Sequence, residues 1–267
     1  MFFSILAYLK MTSQYIFKKD GKLLTKKHVR DKIIKKRKKA LRMKIIAKIY
    51  TDFDEKFGIP RQSGICDDLV GKIVFEPEYR NPDALRGLDE YSHLWILWNF
   101  SKAERNEWSP TVRPPRLGGN KRMGVFATRS PFRPNPIGLS SVKLERIEHT
   151  QDMGDVIIVK GADILSGTPI YDIKPYLAYT DSHPDARGGF SDGVRDYTVK
   201  VEIDDDLLQL IPEDKRQGLI RLLEDDPRPS YVEDEERIYG MAFAGLEVKF
   251  KVENDVLCVT EIYKRES

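Results

Sequence analysis

The chain of 267 residues has few of the residues that build cross-links and metal sites, with two cysteines and four histidines. Cys66 and Cys258 are far apart, and neither belongs to a C-x-x-C pair. The sequence therefore indicates neither a disulfide framework nor a thiolate zinc site. We predict two reduced cysteines that pack in strands, and no metal site.

Long hydrophobic runs are also missing. The apolar segment Met1 to Tyr8 is short, has no basic residue ahead of it, and meets no small-residue cleavage site before a lysine-rich stretch. There is no repeat period and no heptad array, which disfavours solenoids and coiled coils. No G-x-G-x-x-G loop follows a strand-like run. We expect a cytoplasmic protein that is not associated with membranes.

The net charge of +3 conceals an uneven distribution of charge. Residues 1–42 contain 14 Lys and Arg against 2 Asp, a net charge of +12, whereas the remainder has 31 basic and 40 acidic residues, a net charge of −9. One interpretation is an arm that binds RNA phosphates through counterion release. The other, which we favour, is a dispensable, disordered arm, because charged termini are commonly disordered.

The rest of the chain divides into two segments that differ in their predicted secondary structure. Short β-rich runs separated by Gly, Pro, Asn and Asp predict a mainly β domain at 43–197. Its predicted strands are 44–50, 70–75, 91–99, 123–128, 137–147, 155–163 and 170–173. A small α+β domain is predicted at 198–267. Its elements are a strand at 199–203, helices at 204–211 and 213–225, and strands at 238–252 and 256–263 that form a hairpin around Asn254-Asp255.

A basic window between Trp108 and Leu144 stands out. It contains seven Lys and Arg, no Asp or Glu, and six prolines. Solvated surfaces normally mix both signs of charge, so a window of one sign predicts contact with a nucleic-acid backbone or a carboxylate-bearing ligand. The prolines fix backbone angles and so lower the entropy that the arginines lose on binding.

Five motifs resemble the TrmO (TsaA-like, YaeB) family. They are Gly58-Ile-Pro-Arg-Gln-Ser-Gly64, Leu85-Arg-Gly-Leu-Asp-Glu-Tyr-Ser-His-Leu-Trp95, Val112-Arg-Pro-Pro-Arg-Leu-Gly-Gly119, Met123-Gly-Val-Phe-Ala-Thr-Arg-Ser-Pro-Phe-Arg-Pro-Asn-Pro-Ile-Gly138 and Gly167-Thr-Pro-Ile-Tyr-Asp-Ile-Lys-Pro-Tyr176. The resemblance implies a TsaA-like β-barrel followed by a small α+β C-terminal domain, and a homodimer. It also implies an S-adenosylmethionine-dependent methyltransferase that methylates N6 of N6-threonylcarbamoyladenosine, next to the anticodon of tRNA. Such a barrel would account for the missing G-x-G-x-x-G loop.

The resemblance also implies a set of cofactor contacts. Gly64 and Gly167 would permit close backbone approach, and Arg129 offers a bidentate donor for the methionine carboxylate. The chain departs from the family pattern at two of these positions, with Ser101 where His is usual and Ser166 where Asp is frequent. The expected cofactor-binding residues are Gln62, Ser63, Gly64, Phe100, Ser101, Arg129, Leu139, Ser166, Gly167, Thr168 and Pro169.

Methylation of a delocalised nitrogen benefits from a general base. The candidates are Asp172 and Asp163, with Tyr176 or Tyr179 as a hydrogen-bond partner. An equally supported alternative is that Asp172 pairs with Lys174 or an arginine to hold a loop.

The basic window supplies the candidate contacts to the anticodon loop, because phosphate contacts orient RNA. We predict that His93 is packed and hydrogen-bonded, and that Trp95, Trp98 and Phe100 belong to the core. A non-catalytic RNA-binding barrel and an adenosylmethionine-dependent methylase of another substrate remain as alternatives. The predicted RNA-binding residues are Arg113, Arg116, Lys121, Arg122 and Arg133.

Overall fold

The structure is a computed structural model that describes residues 15–19, 22–25, 31, 43–103, 107–114, 117, 121–194, 197–228, 234 and 236–265. The chain divides into two compact units, residues 1–44 and residues 45–267. In the first unit, β1 (Tyr15–Lys19) and β2 (Lys22–Thr25) form an antiparallel hairpin. The densest part of the predicted basic arm, residues 35–39, lies outside the described residues.

Six strands of the second unit form a sheet whose hydrogen bonding closes into a ring. The ring order is β10, β3, β4, β9, β8, β5, and every neighbouring pair is antiparallel. A separate two-stranded ribbon pairs β6 with β7. The strands are β3 (Ala47–Tyr50), β4 (Val70–Phe75), β5 (His93–Asn99), β6 (Thr111–Val112), β7 (Met123–Gly124), β8 (Ile137–Thr150), β9 (Gly154–Lys160) and β10 (Thr168–Pro175).

Alternation of side chains explains how the ring encloses a core. Along β8, Ser140, Val142 and Leu144 are buried, whereas Leu139 and Lys143 are exposed, as the pattern at 137–147 predicts. Strands β3, β4 and β5 alternate in the same way, whereas β9 is buried at four consecutive residues, 156–159. Together these strands fill the interior with aliphatic side chains. These include Ala47, Ile49, Ile73, Leu94, Ile96, Ile157 and Ile170.

The C-terminal part of the second unit is a four-stranded sheet with helices. Strand β11 (Lys200–Glu202) lies parallel to β14 (Val256–Lys264), followed in the sheet by β13 (Leu246–Glu253) and β12 (Tyr239–Phe243). The described helices are α1 (Ala178–Asp181), α2 (Asp205–Gln209) and α3 (Glu213–Glu224). A mainly β fold with a small α+β C-terminal domain confirms the predicted fold class.

The loop between β3 and β4 belongs to both parts of this unit. Its residues Phe53, Cys66 and Leu69 lie in one core with Leu219 of α3 and Phe250 of β13. Nearby, the Asp52 carboxylate and the Lys215 ammonium form an ion pair at 2.5 Å. The C-terminal domain therefore anchors the loop that carries Gln62 and Gly64.

Two predicted strands are wrong in part. The strand predicted at 123–128 ends at Gly124 and gives way to a 3-10 turn, Val125–Ala127, because the Val125 N–H donates to the Pro110 carbonyl at 2.9 Å. The strand predicted at 238–252 is two strands joined by Ala244 and Gly245, both at positive φ. The Ala244 N–H donates to the Asp52 carbonyl at 3.0 Å, a tertiary bond that holds alanine in this turn.

The hairpin predicted around Asn254-Asp255 is confirmed. Asn254 and Asp255 both have positive φ and join β13 to β14 in the expected hairpin. Asn81 caps a 3-10 helix, Pro82–Leu85, by accepting the Asp83 N–H. Further 3-10 helices are Pro77–Tyr79, Leu88–Glu90 and Gly189–Val194. In the part of the chain described, we find no helix with the length and apolar character that crossing a membrane requires.

Candidate functional site

A cavity of about 560 Å³ opens beside the facing ends of β5 and β8. This volume is typical of sites for small organic ligands. The loop before β4 and the segment 128–133 close its sides. Among its lining residues are Lys56, Arg61, Gln62, Trp98, Phe100, Ser101, Thr128, Arg129, Phe132, Arg133, Gly138, Leu139, Asp163 and Thr168.

One wall of the cavity is aromatic. The rings of Trp98 and Phe100 lie 4.2 Å apart between centroids, tilted by 58°. Gly138 lies opposite Trp98 in the β5–β8 pairing, and a Cβ there would be 2.2 Å from Trp98 Cε2. Glycine at this position therefore makes room for the indole ring.

A chain of hydrogen bonds runs from this wall to a carboxylate. Trp98 Nε1 donates to Ser140 Oγ at 2.9 Å, and Ser140 Oγ donates to Asp163 Oδ1 at 2.5 Å. Burial raises the pKa of Asp163 above its usual range, while the hydrogen bond from Ser140 and the charge of Arg129 act against that rise. A fixed carboxyl group whose pKa is shifted towards neutrality is suited to accepting a proton.

The cationic wall of the cavity is held by the loop and by the C-terminal domain. The Arg129 guanidinium donates to Gln62 Oε1, which also places Gln62 at the cavity. Arg61 Nη2 donates to the carbonyls of Asp226 at 2.6 Å and Arg228 at 3.0 Å. The Asp226 side chain in turn pairs with Arg228 at 2.9 Å. This wall is consequently built from three separate parts of the chain.

A much wider cleft of about 1780 Å³ lies beside this cavity and shares the segment Thr128–Arg133 with it. Arg113, Arg122 and Arg133 line the cleft. Arg133 Nη1 donates to the Thr128 carbonyl at 2.9 Å, and Arg122 Nε donates to Thr111 Oγ1 at 2.8 Å. The basic window thus forms a cationic surface continuous with the smaller cavity.

The structure brings six of the eleven expected cofactor-binding residues to the smaller cavity: Gln62, Phe100, Ser101, Arg129, Leu139 and Thr168. The others do not line it. Ser63 Oγ accepts the Ser141 N–H at 3.1 Å, and the Gly64 N–H donates to the Gly161 carbonyl at 2.9 Å. Ser166 and Gly167 form the turn into β10, and Pro169 follows Thr168 within that strand, opposite Lys48 of β3. In that turn the Ser166 N–H donates to the Phe53 carbonyl at 2.8 Å.

The catalytic candidates are separated in space. Asp163 lines the cavity, but Asp172 and Tyr176 do not. The Asp172 carboxylate lies 2.9 Å from the Lys174 ammonium, which is the ion pair of the alternative interpretation. Tyr176 packs against Trp95, with ring centroids 5.5 Å apart.

The predicted RNA-binding residues also differ in position. Arg113, Arg122 and Arg133 line the wider cleft, Lys121 is exposed outside it, and Arg116 lies outside the described residues. His93 is exposed, but its ring contacts Tyr176 with centroids 6.2 Å apart, and Ser92 Oγ lies 2.9 Å from its Nδ1, which agrees with the predicted hydrogen bond. Trp98 is buried as predicted, with 6% of its surface exposed.

Sequence reasoning did not single out four residues that the site contains: Arg61, Ser140, Trp108 and Phe126. Arg61 lies within a recognised motif, and Trp108 and Phe126 lie within the basic window, so the signal was present for these three. Ser140 has no comparable signal, because its polar contact depends on the pairing of β5 with β8.

The fold and the site define a ligand-binding protein built on a closed six-stranded sheet, whose small-molecule cavity opens onto a cationic surface. Two protein-family sequence models match the chain. The tRNA-methyltransferase O N-terminal domain matches residues 48–182, and the TrmO C-terminal domain matches residues 196–265. The chain belongs to the TrmO family.

Individual relatives agree with this assignment. The chain is 41% identical over 221 residues to a tRNA (adenine(37)-N6)-methyltransferase of Escherichia coli K12, covering 78% of this chain and 91% of that protein. A protein of the same name from Eikenella corrodens is 43% identical over 173 residues, or 64% of this chain and 97% of its own length. A crystal structure of TrmO from Pseudomonas aeruginosa aligns with a TM-score of 0.69 and 31% identity, over 84% of this chain and 97% of that one.

Proposed function

We propose that this protein is an S-adenosylmethionine-dependent methyltransferase that methylates N6 of adenosine 37 in tRNA. The observation that carries the proposal is the shared wall, Thr128–Arg133, between the small-molecule cavity and the cationic cleft. A methyl donor in the first and an RNA loop in the second would meet at that wall. The names of the relatives from Escherichia coli and Eikenella corrodens support the same reaction.

The substrate that we propose is the adenosine already carrying an N6-threonylcarbamoyl group. That group contributes a carboxylate, and the basic window offers arginines without any Asp or Glu of its own. It also places N6 between the purine and a carbonyl, so the lone pair is delocalised and the N–H is more acidic than in an ordinary exocyclic amine. Removal of that proton then helps the nitrogen to attack.

The cavity fits adenosylmethionine in size and in chemistry. The aromatic wall of Trp98 and Phe100 suits the adenine, and Arg129 suits the methionine carboxylate. Thr168 and Gln62 offer polar groups for the ribose and the amino acid end. Adenosylmethionine supplies an electrophilic methyl group when it is bound. The protein's part is to align the nucleophilic nitrogen with that group, which is a large share of the catalysis of an in-line displacement.

We propose Asp163 as the residue that accepts the N6 proton. It is the candidate that lines the cavity, and its carboxyl group accepts a hydrogen bond from Ser140 Oγ, which in turn accepts one from Trp98 Nε1. Asp172 is the weaker candidate, because its carboxylate is engaged with Lys174. Tyr176 would act indirectly, through its packing on Trp95 beside the same strand.

The RNA would lie along the wider cleft, where Arg113, Arg122 and Arg133 contact its phosphates. We further propose that the protein acts in the cytoplasm as a homodimer, that residues 43–197 form the methyltransferase domain, and that residues 198–267 form the C-terminal domain. The basic arm at residues 1–42 would be dispensable for methyl transfer.

A transfer assay with labelled adenosylmethionine tests the proposed reaction. Purified protein is incubated with tRNA that carries the threonylcarbamoyl group and with tRNA from cells unable to make it. We expect label in the first RNA only, at N6 of adenosine 37. Label in both RNAs would overturn the proposed substrate, and cofactor binding without any transfer would overturn the proposed reaction.

The phosphate contacts are tested by the salt dependence of tRNA binding. Arg122→Gln should reduce the slope of log affinity against log salt by about 0.7–1, the value for one phosphate contact. Deletion of residues 1–42 should leave that slope unchanged. A large loss of slope on deletion would instead show that the arm binds RNA.

A further inference from the structure

Trp108 and Phe126 form an exposed aromatic pair in the wider cleft. Their rings stack with centroids 6.2 Å apart and planes 28° from parallel. The exposed fractions of the two residues are 53% and 72%. Large aromatic side chains are normally buried in folded proteins, so two adjacent exposed rings indicate an interaction site.

The surroundings of this pair are cationic. The guanidinium carbon of Arg133 lies 5.9 Å from the centroid of the Phe126 ring, within the range of a cation–π contact. Of the described residues that line the cleft, six are Lys or Arg and one, Glu107, is acidic. Exposed aromatic rings among positive charges match single-stranded nucleic acid, which presents base faces and phosphates together.

The position of the aromatic pair indicates which part of the RNA it would contact. The Phe126 ring lies next to the segment Thr128–Arg133, which also borders the smaller cavity. A nucleoside whose N6 reaches that cavity would therefore have its neighbours in the RNA chain over the aromatic pair. Double-stranded RNA would not present such a base, because its bases are already stacked on each other.

We propose that Trp108 and Phe126 form a stacking platform for an unpaired base adjacent to the nucleoside that is methylated. The platform rests on the proposed function, since it deepens the account of how the same site holds its RNA. It positions the RNA by stacking on one neighbouring base, whereas the arginines hold the phosphates. Because every base has an aromatic face, the platform tolerates different bases at that position.

The test measures binding of the full chain to an anticodon stem-loop RNA, by fluorescence anisotropy of labelled RNA. Trp108→Ala and Phe126→Ala should each weaken binding by about 5-fold to 150-fold, the range for loss of stacking on one base. Trp108→Phe should retain most of the affinity, because it keeps an aromatic face. Tyr263→Ala is the matched control, since Tyr263 is also an exposed aromatic, at 46%, but belongs to the C-terminal sheet.

Abasic RNAs identify the contact as stacking. Each loop position is made abasic in turn, and every RNA is measured with wild type and with Trp108→Ala. At one position beside the target nucleoside, we expect the abasic RNA to bind wild type and Trp108→Ala equally weakly. Removing the base and removing the indole ring each abolish the same stacking contact, so the two losses should not add. Additive losses at every loop position would overturn the platform.

The outcomes separate this proposal from the proposed function. If wild type methylates tRNA but Trp108→Ala and Phe126→Ala bind RNA as tightly as Tyr263→Ala does, the platform is wrong and the proposed function stands. Platform-dependent RNA binding without methyl transfer would overturn the proposed function and leave the platform standing. Affinity for adenosylmethionine should be the same in wild type and in all four variants, and a loss in Trp108→Ala or Phe126→Ala would indicate a damaged cavity instead of a stacking site.

Discussion

Gly138→Ala is the sharpest test of how the cavity is built. The new Cβ would lie 2.2 Å from Trp98 Cε2 and 2.5 Å from Trp98 Cδ2, distances that no real Cβ tolerates. Since Gly138 is buried and lies directly opposite Trp98 in the β5–β8 pairing, the indole ring must shift to make room. That movement breaks the bond from Trp98 Nε1 to Ser140 Oγ and removes one support of Asp163.

The expected loss of stability follows from three contributions. Overpacking costs about 1–3 kcal/mol, and the lost hydrogen bond adds about 1 kcal/mol. Alanine in a strand regains about 0.5–1 kcal/mol relative to glycine. The free energy of unfolding should therefore fall by roughly 1–3 kcal/mol. If displacement of the ring costs the cofactor site as little as about 1.4 kcal/mol, the affinity for adenosylmethionine falls about tenfold.

Urea unfolding and calorimetric titration with adenosylmethionine measure the two effects. Gly124→Ala is the control, because Gly124 has a negative φ and nothing within 4 Å of a built Cβ. It should bind the cofactor like wild type and be no less stable to urea, since alanine in a strand gains about 0.5–1 kcal/mol over glycine. If Gly138→Ala unfolds at the wild-type urea concentration and binds the cofactor equally well, the account of Trp98 as a wall held by Gly138 and Ser140 is wrong.

Four further predictions follow from buried and partly buried groups. Asp163→Asn should lower the rate of methyl transfer about 10²-fold or more. Because burial raises the pKa of Asp163, the wild-type free energy of unfolding should decline as pH rises from the ordinary aspartate pKa to the raised one, and this decline should be absent from the variant in urea titrations across pH. Burial raises the pKa of Cys66 to about 11, so its thiol should resist alkylation at pH 8 until the protein unfolds. Cys258 is less buried and should be alkylated first, which mass spectrometry of the labelled protein measures. Lys215→Met should cost about 1–3 kcal/mol in the same urea assay, since it leaves the partly buried Asp52 carboxylate without its ion pair, and a cost near zero would contradict a structural role for that pair.

Local pattern was enough to predict much of the sheet. The runs at 70–75 and 137–147 alternate or lie between turn residues, and the structure places β4 and β8 there. The hairpin at Asn254-Asp255 was predictable because those residue types favour positive φ. The turn at Ala244 was not, since a tertiary bond to the Asp52 carbonyl, and not the residue type, holds its backbone.

The site was predictable to a smaller extent. The motif residues Gln62 and Arg129 meet at one cavity although 67 residues separate them, and only the resemblance to the TrmO family indicated that they belong together. The acid-free window indicated a cationic surface from composition alone. The relay through Ser140 could not be predicted, because it depends on the register that sets Trp98 against Gly138.

The loop between β3 and β4 links the smaller cavity, which we propose to hold the cofactor, to the C-terminal end of the chain. Phe53, Cys66 and Leu69 keep the loop in place only while Leu219 and Phe250 surround them. A protein cut off after residue 197 would expose those three side chains to water and release the strand of backbone that presents Gln62. Destabilising the last seventy residues should therefore lower the affinity for adenosylmethionine first, under conditions in which the six-stranded sheet is still folded.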